Sequence, residues 1–127
     1  MEYKQKFGEL YKDAKDKYNI QHAPKLVLKQ DEENSNNVFG RTAYYNPEDS
    51  TIVIFITNRH PKDILRSFCH EMIHHVQNER GDLDIKGDLS STYAQDDDHM
   101  REMEKEAYLE GNLLFRDHED QFKYEKK

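Results

Sequence analysis

Residues 69–77 read CHEMIHHVQ and crowd three histidines and a glutamate onto one short, otherwise apolar stretch. On an α-helix His70 and His74, four positions apart, emerge about 40° from one another on the same face, one turn apart. Two neutral imidazoles so placed can hold one metal ion. With Glu71 they spell HExxH, a zinc-site pattern in which the glutamate reaches a water beside the ion. Zinc can lower the pKa of such a water from about 15.7 to about 7, within range of a carboxylate acting as general base. The chemistry on offer is attack of water on a carbonyl. His75 is about 140° round the helix from His70 and is expected to point away from the ion, half-exposed or in a supporting role. Cys69, about 100° away, falls on the apolar row as a buried thiol.

Catalytic zinc generally takes three protein ligands, so one more must come from elsewhere. The segment REMEKEAYLEGN carries Glu102, Glu104 and Glu106 beside an apolar stripe of Met100, Met103, Ala107, Gly111 and Leu114. Measured from the centre of that stripe, Glu104 lies about 60° away, Glu106 about 100° and Glu102 about 140°. Glu104 is therefore best placed to look toward the histidine helix, with Glu106 and His99 as alternatives. Tyr93 and His99, just ahead of this helix, are candidates to stabilise a developing oxyanion. The stretch DLDIKGD, with Asp82, Asp84 and Asp88 around Gly87, lacks the further oxygens and the position-twelve glutamate of a calcium loop, so calcium is not expected.

These residues need elements to hold them. Tyr3, Phe7, Leu10, Tyr11, Ala14 and Tyr18 recur at helical intervals and predict an amphipathic helix over about residues 2–18. PKLVLK after Pro24 is β-prone, QDEENSNN is an exposed loop, and VFGRTAYYN and STIVIFIT, joined by the turn NPED, predict a hairpin. The nearly all-apolar run from Thr51 to Thr57 suits a central strand covered on both faces. Pro61 suits a first helical turn with Asp63 near its positive end, and Gly81 suits the stop, so the histidine helix is expected over Pro61–Glu79. Residues 82–98 form a long polar connection. A second amphipathic helix is expected over about Asp98–Phe122, with a frayed tail over about 120–127.

A chain of 127 residues suits one domain, here 1–127, and the pattern is α+β: a small twisted sheet, an N-terminal helix, the histidine helix beneath the sheet and a C-terminal helix beside it. Charged residues make up 35% of the chain and mean hydropathy is −1.15, yet the apolar residues cluster periodically, which argues for a globular protein with a small core. The net charge of −7 and the absence of a basic stripe argue against nucleic acid as partner. No window approaches the ~20 apolar residues of a membrane span, and MEYKQKFGEL holds no apolar signal core. Cys69 is the single cysteine, which excludes an internal disulfide and fits a cytoplasmic setting.

HExxH followed, after an irregular connection, by a helix carrying E-x-x-A (Glu104 to Ala107) resembles the gluzincin zinc metallopeptidases in their minimal form. NRHPKDILRSFCHEMIHHVQNERG and EKEAYLEGNLLFRDHED are also similar to uncharacterised small proteins encoded by tailed phages. The resemblance implies a zincin-like fold and a zinc peptidase, an endopeptidase rather than an exopeptidase, acting on a peptide or protein in the cytoplasm of a bacterium or phage host. It further implies zinc ligation by His70, His74 and Glu104 and a general-base role for Glu71. Many gluzincins carry an aspartate four residues after the ligand glutamate to support a ligand histidine; Tyr108 stands there, where it could hydrogen-bond a ligand or the substrate oxyanion. SprT-like proteases, which use a histidine third ligand and act on DNA-bound proteins, match less well, since only His99 could serve. A zinc-binding interaction module without catalysis is a third reading, to which an intact Glu71 would be superfluous. So short a chain leaves little room for specificity loops, which a partner protein could supply.

Overall fold

In the computed structural model, which describes residues 2–30, 42–83 and 98–125, the first element is helix α1 (Glu2–Tyr18). Its stripe of Phe7, Leu10 and Ala14 is buried. The helix ends at Asn19, whose φ of 57° lets the Ile20 N–H reach back to the Lys15 carbonyl at 3.3 Å. Three strands follow: β1 (Lys25–Lys29), β2 (Ala43–Asn46) and β3 (Thr51–Phe55). They form one sheet in the order β1-β3-β2, with β2 and β3 antiparallel across the expected turn and β1 parallel to β3. The parallel pairing lies beyond what the sequence pattern predicts. β3 is central, as its apolar run requires, and Ile52, Val53 and Ile54 are all buried.

Helix α2 (Pro61–Glu79) starts with Pro61 at its first position and the His60 side chain accepting from the Lys62 N–H at 3.1 Å. It stops at Gly81, whose φ of 83° sends the Asp82 and Gly81 N–H groups back to the Gln77 and Asn78 carbonyls. Helix α3 (Asp98–Glu125) runs three residues beyond the expected Phe122, through most of the segment expected to fray. α2 is the keystone: it packs on β2 and β3 on one side and on α1 and α3 on the other, with the α2–α3 pairing the most extensive. The core is continuous from Leu10 and Phe68 through Met72 to Ile52, Ile54 and Leu114. The architecture is thus α+β, with three helices and a three-stranded mixed sheet among the described residues.

Candidate metal centre

The two helices meet closely because small residues line the contact. Ala107 is fully buried, and a Cβ built on Gly111 would lie 3.0 Å from both Cα and N of His70. This approach brings the Glu104 carboxylate onto the histidine pair: Oε2 lies 3.4 Å from His70 Nε2 and Oε1 lies 2.9 Å from His74 Nε2. The ligand atoms of His70, Glu71 and His74 also fall within 4.8 Å of one another, although Glu71 Oε1, at 4.0 Å from His70 Nε2, is farther from that imidazole than Glu104 is. Neighbouring ligands of a tetrahedral zinc with bonds of about 2.0–2.1 Å stand about 3.4 Å apart, close to the spacing of His70 and Glu104.

The electrostatics follow from burial. Glu71 is 5% exposed, and desolvation pushes its carboxyl pKa up despite the nearby imidazoles. Burial also disfavours the His74 imidazolium, but the Glu104 hydrogen bond and the charges of Glu71 and Glu104 outweigh it and raise the pKa. Glu104 goes the other way: its desolvation is overcome by hydrogen bonds and charge from His70 and His74, which hold the carboxyl well below the ordinary range. Two buried atoms at this centre, His70 Nδ1 and Glu71 Oε2, have no hydrogen-bond partner among the described residues. A buried carboxylate oxygen without a partner is costly in a purely structural role. Two imidazoles with the Glu71 and Glu104 carboxylates beside them, one of those oxygens unsatisfied, form a group that could hold a metal ion.

The other expected residues are placed as follows. Glu106 is turned from the centre: it pairs with Arg80 at 2.6 Å and accepts from Gln77, and the Arg80 bond outweighs its slight burial to hold its carboxyl pKa down. His99 is exposed, with Nε2 2.7 Å from the Asp82 carbonyl, and is not brought to the histidine pair. Tyr93 lies outside the described residues, as do Asp84, Gly87 and Asp88. Tyr108 packs its ring against His70 with centroids 4.4 Å apart and is 63% exposed. His75 points away from the centre as its angle requires, but it is fully buried rather than half-exposed. Its Nε2–H donates to the His22 carbonyl at 2.6 Å, and Nδ1 accepts from the Tyr45 hydroxyl at 2.8 Å. Cys69 is a buried free thiol whose pKa burial pushes up, an inert packing residue.

An open cleft of ≈ 470 Å³ lies over the centre, walled by Thr42, Ala43, Tyr44 and Tyr45 on the β2 side and by Glu104, Tyr108 and Asn112 on α3. Arg59 fixes the β2 wall to α2, donating to the carbonyls of Thr42, Phe55 and Asp63 and to Ser67 Oγ. The sequence gives little hint of Arg59, because its partners are backbone carbonyls set by the fold. Asn112 was discoverable: it stands eight residues after Glu104, on the same helical face as Tyr108. Compared with known proteins, the chain matches no protein-family model, no curated protein and no solved structure. No helix among the described residues is long and apolar enough to cross a membrane.

Proposed function

We propose that this chain is a zincin-like zinc peptidase of the gluzincin kind, in which His70, His74 and Glu104 hold the ion and Glu71 is the general base. The observation that carries this reading is the division of labour between the two carboxylates. Glu104 engages both imidazoles, whereas Glu71 keeps one oxygen without a partner beside the cleft. Zinc, when bound, supplies the positive charge that acidifies a water and polarises a carbonyl. Glu71, with its proton affinity raised by burial, takes the water's proton and can pass it to the leaving amine. Among the described residues strand β2 lies at the sheet edge, and it lines the cleft, so an extended peptide can add to it through main-chain hydrogen bonds and lie across the centre. Tyr108 and Asn112 stand on the opposite wall, where their side chains can meet the substrate.

The test is a metal and terminus analysis of three proteins. The native chain is expected to hold about one zinc. Glu71→Gln is expected to keep it while losing about 10² to 10⁴ of the hydrolysis rate, the usual worth of a general base. Glu104→Gln should lose affinity for the ion itself, since a neutral amide is the poorer ligand. Absence of zinc after metal-supplemented expression, or identical sets of cleaved termini in cells making the native and Glu71→Gln proteins, would sink the proposal.

A further inference from the structure

His74 is held from behind by a residue whose sequence context gives it no special mark. Gln77, one turn further along α2 and fully buried, places Oε1 2.9 Å from His74 Nδ1. Its amide nitrogen faces two acceptors, the Met103 carbonyl and Glu106 Oε1, each at 2.8 Å. Neither acceptor can donate, apart from a protonated carboxyl, so the amide must present its NH₂ to them and its carbonyl oxygen to His74. That oxygen can only accept, which obliges His74 to carry hydrogen on Nδ1. With the Nδ1 hydrogen committed to Gln77, Nε2, the atom 2.9 Å from Glu104, is the nitrogen left to face an ion. This is the tautomer a metal ligand needs at Nε2.

Behind Gln77 the chain of contacts continues. Glu106 is gripped by Arg80 through both of its oxygens, at 2.6 and 3.2 Å, and Arg80 also holds Asp82 at 2.8 Å. The same amide that orients His74 therefore grips the α3 backbone at Met103, one residue before Glu104. One side chain fixes both the tautomer of a ligand on α2 and the register of the ligand on α3.

We infer that Gln77, backed by Glu106 and Arg80, is the positioning residue of this metal centre, acting on His74. The inference rests on the assignment of His70, His74 and Glu104 as metal ligands. Two measurements test it. In the zinc-loaded native chain, nitrogen-15 NMR of the imidazoles is expected to find the His74 hydrogen on Nδ1. Gln77→Met, similar in length and apolar, is expected to weaken zinc binding about 10- to 100-fold, the usual cost of removing such an outer partner. The surface change Glu106→Ala should weaken binding by less, and it keeps the test available if Gln77→Met does not fold. Zinc affinity unchanged in both variants, or a His74 that carries its hydrogen on Nε2 in a native chain that binds zinc, overturns the role of Gln77 alone. A native chain that binds no zinc overturns the ligand assignment and this inference with it.

Discussion

Glu71 occupies a position that opposes folding, buried with one carboxyl oxygen lacking a hydrogen-bond partner among the described residues. Its folded pKa is raised by desolvation above the ordinary value of about 4.3, so between about pH 4.3 and that raised value the native state binds more protons than the unfolded chain. Stability of the metal-free protein therefore falls through this window as pH rises, by at most about 1.4 kcal/mol per pH unit for one proton. Glu71→Gln removes the titration and leaves the groups around it. In chelator-treated protein the variant is expected to match the native melting temperature near pH 4, to exceed it as pH rises through the window and to keep a constant lead above the raised pKa. A constant difference across that window would mean that burial of the Glu71 charge does not set its effect. The placement of Glu71 beside the histidine pair was legible because HExxH is local and helical geometry is fixed. The role of Gln77 was not, because a glutamine three residues after a histidine resembles any polar helix position until Met103 and Glu106 arrive from 26 and 29 residues away.

Among the elements, the α2–α3 contact is the one on which the centre depends, and two glycines separate packing from propensity. A methyl group on Gly111 would meet the His70 backbone at 3.0 Å, where relief requires the helices to part. Such overpacking costs about 1–3 kcal/mol, at or above the roughly 0.8–1 kcal/mol that Ala gains over Gly in a helix. Gly111→Ala should thus lower the melting temperature and weaken zinc binding together, by moving Glu104 away from the imidazoles. Gly8 in α1 is exposed with nothing within 4 Å, so Gly8→Ala should stabilise by about 0.5–1 kcal/mol and leave zinc binding alone. If both changes stabilise, the helices do not need the close approach. The contact was readable in outline from Ala107 and Gly111, and both helix starts and the hairpin turn were readable from Pro61, Asp98 and NPED. The parallel pairing of β1 with β3 was not, since Leu26 opposite Ile52 is decided by how the chain returns to the sheet and carries no local mark.

For the whole molecule, a metal held by His70, His74 and Glu104, as proposed, would cross-link two helices separated in the sequence by residues 80–97. An ion that binds the folded state alone stabilises it by about 4 kcal/mol when free zinc stands at a thousand times its dissociation constant. For a domain of this size that corresponds to a rise in melting temperature on the order of 10 °C. The gain should be uneven. β3 is held by a strand on each side and by the fully buried Ile52 and Ile54, whereas α3 has no contact with the sheet among the described residues and its first turns are held by side chains of His70, His74, Gln77 and Arg80. Chelation is therefore expected to speed amide hydrogen exchange in α3 around Glu104 and in α2 around His70 and His74, while the β3 amides keep most of their protection. Equal loss across β3 and α3 would mean that the ion controls global unfolding. A melting temperature indifferent to chelator would remove the cross-link altogether.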